Sequence, residues 1–212
     1  MAKSDLHSFR LVIPLVVAAL LAGACATTSP PMRFYLLSPV ERAEPAEAAP
    51  GESLVVVGPL QLPGYLDRPQ LVVRQPDGRF ALREFDRWGE PLDALLTNTV
   101  TANLVRLTGS AGIVAFPAPT RVSADRRVLG RVLRFDADAS GLAVLEVQWS
   151  ILDENGELLV PVRIDAYRAQ AAGTGAAALV AALSDVLGQF SQRLADELRA
   201  TRPGEAGPSP GT

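Results

Sequence analysis

The apolar and polar positions divide this chain into one short continuous apolar run and a later series of alternating segments. Leu11 to Leu21 is apolar throughout, interrupted only by Pro14. Further on, Arg33 to Leu37 reads as a strand, and Pro39 to Glu52, rich in Pro, Ala and Glu, as a mobile loop. Leu54 to Gly58 reads as an aliphatic strand that ends at Pro59. Leu71 to Arg74 and Arg79 to Phe85 flank Gln75-Pro76-Asp77-Gly78, where Pro presets φ and Gly accepts a positive one, so the pair predicts a hairpin. Between Pro91 and Leu107 the positions Leu92, Leu95, Leu96, Val100, Leu104 and Leu107 fall on one helical face, with Pro91 suited to the first turn and Gly109 near the end. Ile113 to Phe116 is a short strand. Val128 to Ala137, Leu142 to Leu152 and Leu158 to Ala169 are joined by Asp138-Ala139-Ser140-Gly141 and by Asn155-Gly156, which predicts a three-stranded antiparallel meander. A last helix, from about Gly175 to Ala200, carries the stripe Leu179, Leu183, Val186, Leu187, Phe190, Leu194 and Leu198. The expected fold class is α/β: a single domain whose mixed β-sheet has a C-terminal antiparallel meander and two long amphipathic helices packed on it.

The N-terminal run decides the compartment. Eleven helical residues span about 16 Å, roughly half of a bilayer's hydrocarbon core, so the run is too short for a stable membrane span. Preceded by Lys3 and Arg10, it suits a removable export signal. Cys25 follows Ala22-Gly23-Ala24 directly, and Leu21 to Cys25 resembles a bacterial lipobox. That resemblance implies cleavage before the cysteine, then a covalent diacylglycerol and a palmitate-like N-acyl chain on Cys25. Several acyl chains anchor stably where one binds only marginally. Residues 1–24 are then a lipoprotein signal peptide, 25–32 a lipidated tether, 33–200 the folded domain and 201–212 a disordered Pro/Gly-rich tail.

Charge and composition narrow the chemistry. The 20 basic and 23 acidic residues leave a net charge of -3, without the basic excess that nucleic-acid binding requires. One cysteine excludes a disulfide framework. Cleavage before Cys25 would remove Lys3 and His7, the only lysine and the only histidine. The remaining chain has no imidazole base for Ser–His or Cys–His catalysis, no lysine for Schiff-base chemistry and no His/Cys set for zinc. No enzyme activity, metal or cofactor is therefore expected. Carboxylates are the exception. Asp136 and Asp138 would share one strand face, either as an acid–base pair or as a solvated hairpin end. Asp153, Glu154, Asn155 and Glu157 read as a turn, and Gly173-Thr174-Gly175 as a flexible helix start.

The two loops Leu62 to Leu71 (LPGYLDRPQL) and Phe85 to Leu92 (FDRWGEPL) place large aromatics among charges. Tyr65, Asp67, Arg68, Trp88 and Glu90 are expected to cluster. Either they form a partner or self-association surface, aromatic and Arg side chains being common interface anchors, or the loops pack on each other.

These loops also carry a family resemblance. Val57-Gly58-Pro59, Tyr65-Leu66-Asp67-Arg68-Pro69-Gln70, Arg87-Trp88 and Glu90-Pro91-Leu92 resemble the auxiliary lipoproteins of ABC-type lipid transport systems, the paraquat-inducible protein C group. Phe34-Tyr35-Leu36-Leu37, Phe116-Pro117, the Asp153/Gly156 hairpin and Ala181-Ala182-Leu183-Ser184 extend the similarity over nearly the whole processed chain. The resemblance implies a non-catalytic periplasm-facing lipoprotein that works with an MCE-domain membrane protein and its ABC permease system. Such a system moves phospholipid between the two membranes and keeps the envelope intact. Ala26, where a sorting Asp would retain the protein at the inner membrane, points to the outer membrane. Two other readings stand beside this one: a stand-alone lipid- or solute-binding envelope lipoprotein, and a hydrolase using Asp136, Asp138, Asp153 and Glu154.

Overall fold

A computed structural model describes residues 30–41, 53–118 and 123–201. The expected signal peptide, Cys25, most of the tether, most of the 39–52 loop and the tail after Thr201 lie outside the described residues. The meander is the spine of the sheet. Its strands, here β6 (Arg126–Asp138), β7 (Leu142–Asp153) and β8 (Leu158–Gln170), pair antiparallel along almost their full length. Before them come β1 (Arg33–Tyr35), β2 (Val55–Gln61), a single 3-10 turn at Gly64–Leu66, β3 (Gln70–Arg74), β4 (Phe80–Trp88) and β5 (Ile113–Ala115). The two helices among the described residues are α1 (Leu92–Thr108) and α2 (Ala176–Ala200).

Strand β6 shares its other edge between two partners. Its first half runs parallel to β2, and its last two residues run parallel to Val73 and Arg74 of β3. From there β4 pairs antiparallel with β3, and β1 lies parallel to β4 at one border. Beyond β2, β5 closes the opposite border. The sheet is mixed because only the hairpin and the meander have turns short enough for antiparallel neighbours.

Both helices lie side by side on one face of this sheet, α1 over β2 and β5, and α2 over the meander. The stripes expected to face the core do so: Leu92, Leu95, Leu96, Val100 and Leu104 of α1 are buried and Leu107 is half-buried against them, and all seven stripe residues of α2 are buried. Trp149, Phe190 and Tyr167 meet between α2 and the meander, with ring centres about 6 Å apart (6.0 and 5.9 Å). Gly109, at φ 70°, ends α1 by donating its N–H to Val105 O, a left-handed cap that favours glycine. Buried Asn103 ties α1 to α2 through Ser191 (3.0 Å) and accepts from the Val40 N–H (2.8 Å), so residues 38–40 are strapped across the helix pair.

Two boundaries differ from the sequence reading. Strand β2 does not end at Pro59: it resumes at Leu60 after a register shift against β6, with Gly58 at φ 99°. A Cβ on Gly58 would come within 2.9 Å of Thr97 on α1, so this close approach needs glycine. Strand β4 runs past Phe85 to Trp88 because β1 pairs with Asp86, Arg87 and Trp88. Half of the second expected loop is thereby strand.

Candidate functional site

The candidate site grows from the junction of β3, β4 and the 3-10 turn. Pro63 leads into Gly64–Leu66, whose Leu66 is buried and whose Tyr65 lies over the helix-free face. Tyr65 stacks on Phe80 of β4 (centroids 4.6 Å, 6° between planes), and the Arg74 guanidinium sits 4.8 Å from the Phe80 ring centre. The Tyr65 hydroxyl donates to Asp136 Oδ2 at 2.9 Å. Arg74 reaches both oxygens of Asp136 (2.7 and 3.2 Å), and Arg134 Nε donates to Oδ1 at 2.9 Å. Asp136 is 1% exposed. An unpaired buried carboxylate would be very costly, and two guanidiniums with one phenol satisfy it. Burial, then the charge and hydrogen bond of Asp136, push the Tyr65 hydroxyl up to about 12.

This overturns the reading of Asp136 as part of a solvated hairpin end. On β6 it lies between Phe135 and Ala137, both in the core, so alternation aims it at the opposite face. There Arg74 of β3 and the Tyr65 turn cover it. Asp138 does hold the hairpin turn: its Oδ1 accepts from the Ser140 N–H and Oγ and the Leu142 N–H. Burial alone would raise its carboxyl, but those hydrogen bonds together outweigh burial and hold it below its ordinary value. Asp153 caps its own turn through the N–H groups of Asn155 and Glu157, as read from the sequence. Glu154 is exposed. Among the described residues no group of three His, Cys, Asp or Glu is placed to hold a metal ion, and no helix is long and apolar enough to cross a membrane.

The two loops named from the sequence run side by side, since Trp88 N–H donates to Pro69 O at 2.7 Å and Gln70 pairs with Arg87. Their residues divide by role. Trp88 is buried in the core opposite Tyr35, and Tyr65 is half-buried in the Asp136 network. Asp67, Arg68 and Glu90 are exposed. The aromatics therefore anchor two loops whose charged residues Asp67, Arg68 and Glu90 face solvent. A second carboxylate, buried Asp86, sits close by, taking Arg33 Nε (2.7 Å) and the Tyr35 hydroxyl (3.2 Å), with Arg83 3.7 Å away. Burial first and Asp86 second raise Tyr35. The sequence reading missed Arg74, Phe80, Arg134 and Asp86. One signal for the first was available: across the hairpin, Phe80 and Arg74 stand opposite each other.

A family model described as "ABC-type transport auxiliary lipoprotein component" matches residues 35–195. The intermembrane transport lipoprotein PqiC of Escherichia coli (strain K12) is 26% identical over 186 residues, covering 87% of this chain and 96% of that protein; its Shigella flexneri counterpart matches equally. The fold is shared with a protein of Xanthomonas campestris (TM-score 0.66, 19% identity, 80% of this chain and 95% of that one). It is shared also with a crystal structure of an uncharacterized protein (TM-score 0.65, 22% identity, 80% and 99%). With a match that runs from β1 into the last turns of α2, this chain belongs to the ABC-type transport auxiliary lipoprotein component family.

Proposed function

We propose that this protein is the lipid-anchored, non-catalytic envelope subunit of an MCE-domain, ABC-type phospholipid transport system. Its Cys25 carries the acyl chains and holds the domain at the outer membrane, facing the periplasm. The family match over 35–195 is the observation that carries this reading, and the 26% identity to an intermembrane transport lipoprotein supports it. The surface offered to the membrane-anchored partner, or to further copies of this chain, is the exposed set Asp67, Arg68 and Glu90 on the loops anchored by Tyr65 and Trp88. Anchored aromatics remove loop entropy before binding, so a charged surface presented this way loses little on docking.

The test has two arms. Cys25→Ala should move the protein from the membrane fraction to the soluble periplasm; protein that stays with membranes after signal cleavage would contradict the anchor. Charge reversal at Asp67, Arg68 and Glu90 together should abolish co-purification of an MCE-domain partner while leaving the melting temperature unchanged. Retained co-purification would remove these loops from the interface. A stand-alone lipid-binding role draws support from an open groove of about 410 Å³ on the helix-free face, beside Leu129 and Val162. Lipid held in native mass spectra of partner-free protein would favour that role.

A further inference from the structure

The first strand of the domain turns apolar side chains into solvent. Phe34 is 66% exposed and Leu36 54%, whereas Tyr35 and Leu37 between and after them pack against the core. Among the described residues strand β1 is at the border of the sheet, bonded to β4 alone. In that pairing Phe34 stands opposite Arg87, and Phe85, two positions earlier on β4, is 38% exposed. Leu36 lies over Gly89, whose added Cβ would come within 3.1 Å of it. Arg87 pairs with Gln70 on the side of the sheet that bears Arg74 and Phe80, so these side chains occupy the helix-free face. Phe34 and Leu36 thus line one border of that face beside Arg87, with exposed Phe85 next along β4; Arg33 turns to the other face, onto Asp86.

The position of this border in the chain says what meets it. Phe34 follows Cys25 by nine residues, which reach about 30 Å at most when fully extended. A tether that short makes every encounter with the anchoring surface intramolecular, so a patch too small to bind alone is engaged. Phe and Leu flanked by Arg is the composition of interfacial membrane contacts, where apolar side chains enter below the headgroups and cations stay among the phosphates. We propose that Phe34, Leu36 and Phe85 seat the domain on the lipid surface that holds its own acyl chains, making anchor and β1 border two parts of one membrane contact. This rests on the acylation of Cys25.

The experiment places a tryptophan reporter at the patch and another far from it. Full-length expressed, acylated protein is reconstituted into vesicles of phosphatidylethanolamine and phosphatidylglycerol with brominated acyl chains. Phe34→Trp is compared with Gln192→Trp on the exposed side of α2; the native Trp88 and Trp149 are both buried and contribute equally to each. Quenching several-fold stronger at position 34, and reduced when Leu36→Ser and Phe85→Ser are added, is the expected result. Equal quenching at 34 and 192 overturns the proposal, and is what results if a protein covers the patch instead. If Cys25 proves unacylated, the protein stays off the vesicles and the anchor reading fails by itself. The patch is then judged by the same comparison after coupling the thiol of Cys25, the chain's only cysteine, to a maleimide lipid.

Discussion

Along three residues of β6 the protein uses two kinds of interior. Phe135 and Ala137 point into the space under α2, filled by Trp149, Phe190, Leu187 and Leu194. Asp136, between them, points the other way, into a site made of Tyr65, Arg74 and Arg134. The first side is held by apolar area and close packing, which are non-directional and grow with the area removed from water. The second is held by directional bonds to a charge that would be intolerable unpaired. The helix side tolerates many hydrophobic sequences, whereas the helix-free side requires particular partners. The first candidate interaction loop is built on that second side, because Tyr65 is at once a loop residue and a ligand of Asp136, whereas the second is anchored in the apolar core through Trp88.

The comparison can be broken in three places. The largest effect belongs to the apolar side: Phe190→Ala should lower stability by about 3–5 kcal/mol, because the rings of Trp149 and Tyr167 lose their common partner. Urea unfolding checks this, with the midpoint falling and the slope unchanged.

Next, Asp136→Ala should lower stability by about 3 kcal/mol, the lower end for breaking a buried pair. Arg74 and Arg134 keep 32% and 27% of their side-chain surface in solvent and can turn outward. If the network specifies geometry more than it stabilises, Asp136→Leu with Arg74→Met and Arg134→Met should regain most of that loss. The same triple variant staying as unstable as Asp136→Ala would show that the charges themselves stabilise the fold.

The smallest effect is that of Tyr65→Phe, about 1.5 kcal/mol, since Asp136 keeps both guanidiniums. It has a pH signature. The folded-state value of Tyr65 is raised from 10.0 to about 12, so its contribution is complete below pH 10 and is lost as pH rises through about 12. The stability gap between wild type and Tyr65→Phe should therefore be flat below pH 10 and close above it. A gap that ignores pH across that window would assign the loss to packing alone.

What could be read along the chain was local. Leu179 to Leu198 announce a helix because one face repeats every three to four residues, and Asn155-Gly156 announces a turn because its backbone demands are met by those two side chains. Trp88 and Tyr65 looked alike as loop aromatics. They differ because β1, more than fifty residues before Trp88, pairs with Asp86 to Trp88 and turns the indole inward. The exposure of Phe34 likewise depends on β1 being a border strand, which alternation cannot reveal.

The amino-acid order alone determined the mixed α/β composition, the two buried helical stripes, the meander and the family, since each is written in short-range periodicity or in strings of neighbouring residues. Only the tertiary structure decided that Asp136 is buried, because its partners Tyr65 and Arg74 lie 71 and 62 residues away and are brought to it by the junction of β3 with β6. A buried charge is specified by what folds around it, and the local pattern shows only the face to which it points.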